Sequence, residues 1–431
     1  MAAEKFTTII IGAGPAGSTA AYLLAKAGLD VLLIERGESP GSKNMFGGRM
    51  YSFALNRIIP NFWEEAPLER PVVRETVTMI AGDKSISLTF QEDNWATPPY
   101  HSFTLLRAEF DAWLASKAEE AGAMLACNIR VDDVLLENGR VVGVRAGDDE
   151  LLADVVIAAD GANSLITEKA GLRPRLSPRQ VATGVKQVIE LPAETISQRF
   201  QLTGNNGAAH LFVGSCTRGI QGGGFLYTNK NSVSLGLVIN AAELQRYPYQ
   251  ISELLEDFKA QPFIAPLIEG GRVAEYSAHL VPEAGLHMMP RLVGNGILVV
   301  GDAAGFVLNL GYLVRGMDLA IGSGEAAAQA VMEAKARHDF SQRGLSVYQD
   351  ILKKSFVWRD LDFYHQVPHF LENQRLYRLY PQLATGIAAE MFTVSDAPPV
   401  HLLGKIMAQI KKYQISLTQL ASDAWKGGRV L

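Results

Sequence analysis

Residues Phe6 to Glu35 read FTTIIIGAGPAGSTAAYLLAKAGLDVLLIE, and this stretch decides the fold. The run Phe6 to Ile11 is apolar and β-branched, the composition of a strand buried on both faces of a parallel sheet. Gly12, Gly14 and Gly17 then form G-x-G-x-x-G. The first permits a tight turn, the second leaves room for a pyrophosphate against the backbone, and the third lets the following helix pack close to the strand. Ala21, Ala25 and Gly28 continue that small-residue face at helical spacing. Val31 to Ile34 make the next strand. Glu35 stands at its carboxyl end, about twenty residues after the glycines, where a carboxylate can accept both ribose hydroxyls. The helix N-terminus offers an anion site for a diphosphate. An acid at position 35 would repel a 2′-phosphate, so the expected ligand is an ADP-ribosyl dinucleotide, FAD or NAD.

The chain has 431 residues, long for one core, and its 48% hydrophobic and 20% charged residues are ordinary for a globular protein. A net charge of −5 exerts no global pull toward nucleic acid. The longest apolar candidate for a membrane span, Met317 to Met332, contains Asp318 and Glu325. Met1 to Lys5 run straight into the first strand, without the pattern of a cleaved leader. Cys127 and Cys216 are far apart, cannot form C-x-x-C, and cannot supply the four thiolates of an iron–sulfur cluster. Both read as core residues of a reduced, cytoplasmic protein.

Further along, PVVRETVTMI and KSISLTF read as strands. Leu105 to Gly122 reads as a helix opened by Arg107, whose charge opposes the helix dipole. Either an external anion or solvent compensates that charge. Asn138-Gly139 marks a hairpin, and the strand Val155 to Ala159 ends in Asp160-Gly161. Four strand-like runs between Val181 and Val238 suggest one antiparallel sheet, in which Gly222, Gly223 and Gly224 mark a bulge or a close ligand approach. A helix over Ile251 to Gln261 precedes a strand pair near Val273 to Leu280. Gly296 to Val300 form a late buried strand ending in Gly301-Asp302, a helix starts near Gly316, and everything beyond Phe340 reads as helical.

One glycine fingerprint does not separate FAD from NAD. Asp302 does, because an FAD extended across a sheet needs a group on its ribityl hydroxyls. The order GAGPAG with Glu35, Arg107 ahead of FDAWL, Asp160-Gly161 and Gly301-Asp302 resembles flavoproteins of the p-hydroxybenzoate-hydroxylase fold. SKNMFGGRMY, RFQLTGNNGAAHLF, GGGFLYTN, YSAHLVPEAG and GDAAGFVLNLGYLVRGMDLAI are similar to the FixC branch of the electron-transfer-flavoprotein:quinone oxidoreductases, over essentially the whole chain. Larger members of that family carry a Cys-ligated cluster in a C-terminal domain, for which this chain has neither the cysteines nor the length.

The resemblance implies a mixed α/β fold with a Rossmann-type FAD-binding domain (1–70, 105–180 and 290–335). It also implies an interleaved antiparallel sheet domain for a quinone (71–104 and 181–289) and a helical C-terminal region (336–431). The residues expected to hold FAD are Gly12, Ala13, Gly14, Pro15, Ala16, Glu35, Arg36, Gly47, Gly48, Arg49, Arg107, Val131, Asp160, Gly161, Gly301, Asp302, Gly316 and Met317. Electrons are expected to pass from a two-subunit electron-transfer flavoprotein to a quinone docked beside Gly222 to Phe225 and Tyr312. A small ferredoxin-like iron–sulfur protein would supply the relay cluster, in a complex that bifurcates electrons or does not. The rival readings are an NAD(P)H-dependent flavin monooxygenase, a prenyl reductase and a non-catalytic flavin-binding assembly subunit. No catalytic residue and no metal site is assigned, and His210, His279 and His287 read as packing histidines. In the tail, Lys405, Lys411, Lys412, Lys426 and Arg429 stand against Asp423 beside a stripe of Leu402, Leu403, Ile406, Met407 and Ile410. That stripe faces either the core or, at the inner face of a membrane, lipid.

Overall fold

The fingerprint stretch folds as strand β1 (Lys5–Ile11), a helix over Pro15–Lys26 and strand β2 (Val31–Ile34) in the computed structural model, which describes residues 5–42, 48–283 and 285–431. The strands that follow are β3 (Arg49–Tyr51), β4 (Leu68–Ala81), β5 (Lys84–Gln91), β6 (Ser102–Leu105), β7 (Met124–Ala126), β8 (Asp133–Glu137), β9 (Arg140–Ala146) and β10 (Asp149–Ala158). Then come β11 (Val181–Glu190), β12 (Gly207–Gly214), β13 (Gly222–Thr228), β14 (Ser232–Asn240), β15 (Arg272–Pro282), β16 (Val293–Gly294) and β17 (Ile297–Val299).

The first sheet runs β16-β17-β10-β1-β2-β7, with the β8–β9 hairpin added beside β10. β1 lies between β10 and β2, parallel to both, and Ile9, Ile10 and Ile11 are buried. That position explains why the run does not alternate. Asn138 and Gly139 turn the β8–β9 hairpin at φ 49° and 76°, the left-handed pair that a tight hairpin needs. The helix after the glycine loop packs at backbone distance on the helix Met317–Ala336, where a Cβ on Gly324 would run into the carbonyl of Ala16.

The second sheet runs β15-β11-β14-β13-β12-β4-β6-β3, with β5 on β4. It is not wholly antiparallel as expected, because β12 pairs with β4 in parallel. The chain reaches β12 after a long excursion through the first sheet, so no hairpin dictates its direction. Val273 to Leu280 belong to the single strand β15 rather than to a strand pair. The three glycines make no bulge, since Gly222 to Thr228 stay in regular register with β14. The space freed at Gly223 and Gly224 is taken by the carbonyl of Phe212 and the ring of Phe258, at 2.7 and 2.8 Å from where a Cβ would stand. One face of this sheet closes a core on the helix Ile251–Lys259 through Leu254, Leu255 and Phe258.

Beyond residue 340 the chain is helical. Ile410 is buried with Leu383 and Ile415, and Ile406 is partly buried there. Leu402, Leu403 and Met407 remain exposed, so the predicted stripe is split between a core face and a free face. Asp423 is not a surface charge: Arg375, Asn373 and Tyr380 hold it. Cys216 is buried as expected, whereas Cys127 is only half-buried. No helix among the described residues is long and apolar enough to cross a membrane.

Candidate functional site

The carboxyl ends of β1, β2, β10 and β17 share one edge, which gathers Gly12 to Ala16, Glu35 and Arg36, Asp160 and Gly161, and Gly301 and Asp302. Gly12 has φ 102° and a Cβ there would strike the carbonyl of Ala159, so no other residue fits the turn. Above Gly14 the space is open among the described residues, where the nearest atom to a Cβ position on this residue is Arg107 Nη2, at 3.7 Å. The helix Pro15–Lys26 begins on Gly14 without a side-chain cap and without an acid in its first turn, so its positive end faces that space uncompensated. Glu35 is fixed from both sides, its Oε2 accepting from the Ala13 N–H at 3.1 Å and its Oε1 from the Gly37 N–H at 2.7 Å. Each oxygen keeps a lone pair for a hydroxyl. Backbone bonds from Asn128 to Gly37 and from Ile129 to Glu35 tie the segment just before half-buried Val131 to the end of β2.

Arg107 is neither solvated nor in wait of an anion alone. It is 8% exposed, and its Nε and Nη2 donate to Asp111 at 2.8 and 2.6 Å. Burial weakens the guanidinium, but Asp111 more than offsets this, with Asp302 and Glu35 adding to the field. Burial likewise raises Asp302, against Arg107 and His279. Asp160 is pushed up to about 6 by burial, against the Ile166 N–H, Arg173 and exposed Arg36. Its Oδ1 is buried without a hydrogen-bond partner among the described residues. Gly316 caps the helix Met317–Ala336 without a side-chain bond, Met317 is buried, and Asp318 is held by Arg315.

Gly47 lies outside the described residues. Gly48 is buried 3.0 Å from the Tyr227 ring, measured from a Cβ position. The charge of Arg49 is committed to the protein: Nη1 donates to Glu75 at 2.9 Å, Nη2 bonds the other carboxylate oxygen, and Ser102 Oγ accepts from Nε and Nη2. Tyr312 is 47% exposed near Tyr364. His210 is held neutral by burial, pulled down to about 3, bonded to Thr78 and stacked on Phe212, which is a packing role. His287 bonds the carbonyl of His365 at the surface, and His279 lies within the field of Asp302.

The second sheet presents one face to this edge. Strand register puts Glu275, Ser277 and His279 of β15 beside Val188, Lys186 and Gly184 of β11, then Ser234, Gly236 and Val238 of β14. Tyr227, Phe225 and Gly223 follow on β13, Ala209 and Leu211 on β12, and Glu75, Val77 and Met79 on β4. Phe90, Leu88 and Ile86 of β5 end the face. It is polar and buried near Arg107 and Asp302, and its central glycines leave it flat. Toward β5 it becomes apolar and open, with Ile86, Leu88 and Phe90 exposed by 40, 77 and 53%. Sequence reasoning missed Lys186, Tyr227 and Glu75. The available signal was a lone Lys inside VATGVKQVIEL, a strand otherwise buried on both faces.

Residues 8–205 match the FAD dependent oxidoreductase family, and residues 367–431 match the ETF-QO/FixC family C-terminal domain. Over 100% of both chains, this one is 48% identical to the probable electron transfer flavoprotein-quinone oxidoreductase YdiS of Escherichia coli (strain K12). It is 48% identical, again over 100% of both chains, to protein FixC of Salmonella typhi. Among solved structures it resembles a geranylgeranyl bacteriochlorophyll reductase-like protein from Thermoplasma acidophilum, with a TM-score of 0.73 and 23% identity over 97% of this chain and 99% of that one. A myxobacterial chondrochloren halogenase shares the fold at a TM-score of 0.65 and 20% identity, over 99% of this chain and 91% of the other. The chain belongs to the ETF-QO/FixC family of FAD-dependent oxidoreductases. Its cofactor is FAD, and the open space over Gly14, the uncapped helix and the orphaned Asp160 oxygen all fit one.

Proposed function

We propose that this flavoprotein takes electrons from a reduced electron-transfer flavoprotein and delivers them to a quinone, with FAD held by the first sheet and the quinone received on the second. FAD supplies the electron-accepting and electron-donating ring. The chain's own residues bind and orient it: backbone N–H groups of the glycine loop on the diphosphate, Glu35 on the adenosine ribose, and Asp302 on the ribityl chain with Arg107 beside it. Residues 1–70, 105–180 and 290–335 form the FAD body in this reading, 71–104 and 181–289 the acceptor body, and 336–431 the helical region. The observation that carries the proposal is the apolar face of β5, where Ile86, Leu88 and Phe90 lie uncovered on the side that also bears Phe225 and Tyr227. A lipophilic acceptor is the natural cover for such a wall.

Two cysteines in the whole sequence cannot ligate a cluster, so an iron–sulfur relay would come from a small ferredoxin-like partner. Peripheral membrane contact is supported by Leu402, Leu403 and Met407, exposed on a helix that ends in Lys411 and Lys412. A prenyl reductase is the second reading, because the same apolar wall would suit a prenyl chain. Anaerobic mixing of the FAD-loaded protein with reduced electron-transfer flavoprotein and a long-chain quinone separates the two. Quinone reduction that requires the flavoprotein is expected; turnover with NADPH alone, or saturation of a prenyl double bond, overturns the proposal.

A further inference from the structure

Lys186 is 1% exposed in the middle of β11, on the face turned toward Arg107, the residue that stands over Gly14. Its cross-strand neighbours are Ser277 and Gly236, and the Phe225 ring crosses the latter where a Cβ would stand. An ammonium in such a place is costly unless other charge compensates it. Half-buried Glu275 lies along β15 on the same face, while Arg107, across the gap, opposes the ammonium. Burial pulls Lys186 down to about 8, with Glu275 acting against that pull and Arg107 adding to it. Arg107 in turn feels Asp302 and Glu35, two of the carboxylates at the FAD edge. A cation thus stands where the first sheet's cofactor edge and the second sheet's acceptor face meet.

We propose that Lys186 sets the electron affinity of the bound flavin: its ammonium stabilises the negative charge that the ring gains when it is reduced. In that reduction the oxidised ring takes up two electrons from the donor and one proton from solvent, which leaves one net negative charge. The buried position makes the charge effective, since little water screens it. The inference rests on the FAD placement proposed above.

The test uses the FAD-loaded full chain in wild-type, Lys186→Met and Lys186→Arg forms. FAD per chain is read from absorbance and the midpoint potential from an anaerobic dithionite titration against a reference dye. Lys186→Met is expected to keep its FAD and to lower the reduced-to-oxidised ratio at a fixed poise at least tenfold, about 30 mV. Lys186→Arg should stay within about twofold of wild type, as Arg keeps the charge. Full FAD content with an unchanged potential in Lys186→Met overturns the proposal. So does selective loss of FAD, which assigns the lysine to binding. If Lys186→Met does not fold, Glu275→Gln serves instead: removing the counter-charge should raise the potential, and no rise overturns the proposal. FAD content of Glu35→Arg, measured alongside, tests the placement independently.

Discussion

The two sheets bring their functional groups together by different means. On the first, each group follows directly on the carboxyl end of a parallel strand, so backbone direction alone delivers Gly12, Glu35, Asp160 and Asp302 to one edge. On the second, the face is assembled by lateral register: Lys186, Phe225, Leu211, Val77 and Leu88 come from five strands and meet only because those strands pair as they do. A one-residue slip in any of them would turn its contribution to the other side. On the function proposed above, the first edge is therefore a binding device made largely of backbone, and the second is a chemical surface made of side chains. Substitutions in the two should separate cofactor affinity from reactivity.

The largest expected effect is on the first edge. In the proposed FAD site, Glu35→Arg replaces the acceptor of the ribose hydroxyls with a donor and releases the Ala13 and Gly37 N–H groups. Losing two charge-assisted hydrogen bonds weakens FAD binding by on the order of 3 to 6 kcal/mol. Fluorescence titration of the apo-protein reads this directly, and wild-type affinity in the variant would remove Glu35 from the site.

Arg107 joins both devices, and its variants sharpen the distinction between holding the fold and holding the cofactor. Arg107→Met leaves Asp111 buried without its partner and should cost about 3 to 5 kcal/mol of stability, seen as a lower urea midpoint. The double variant Arg107→Met/Asp111→Leu removes both charges and should recover most of that loss. It should not recover FAD affinity if Arg107 also serves the cofactor. Restoration of both would reduce Arg107 to a structural ion pair.

How much of this was legible in the sequence follows the same line. The fingerprint, its flanking strands, the Asn138-Gly139 turn and the helix at Gly316 are written in contiguous residues, and each forms where local pattern places it. The parallel pairing of β12 with β4 was not legible, because it joins residues about 130 positions apart whose pattern is the same for either direction. Arg107 was misread for a related reason. Its partner stands one helical turn on, at Asp111, but only the tertiary fold buries both, and exposure decides whether such a pair matters. Gly222 to Gly224 looked like an opening for a ligand. Their space is filled from within, by groups from β12, β14 and a distant helix.

On the second sheet the expected effects are on turnover rather than on the fold. Leu88 is 77% exposed, so Leu88→Ser should change stability by no more than about 0.5 kcal/mol. If the β5 face receives the hydrophobic part of a quinone, KM for a long-chain quinone should rise several-fold while KM for a short-chain analogue stays constant. Removal of a buried side chain of this size from water is worth about 1.5 to 3 kcal/mol, which bounds the change at roughly a hundredfold. Equal effects on both quinones would place the acceptor elsewhere.

The smallest expected effect concerns a second glutamate, at the end of β15. Glu35 receives two backbone N–H groups, whereas Glu283 accepts one bond, from Asn240 Nδ2 at 3.0 Å, and burial pushes it up to about 7. The folded chain therefore binds a proton at Glu283 more tightly than the unfolded chain does. Its contribution to stability is fully present below about pH 4.5, the ordinary range of a glutamate, and is lost as pH rises through about 7. Glu283→Gln keeps an amide to bond Asn240 but no longer titrates. The melting temperature of the wild type relative to this variant should thus fall from about pH 5 to pH 7 and then level off. Asp160, raised in the same window, is common to both proteins and cancels in the difference. A wild-type-minus-variant difference that stays flat across that range would show that Glu283 is ionised in the folded chain, with Asn240 and solvent satisfying it.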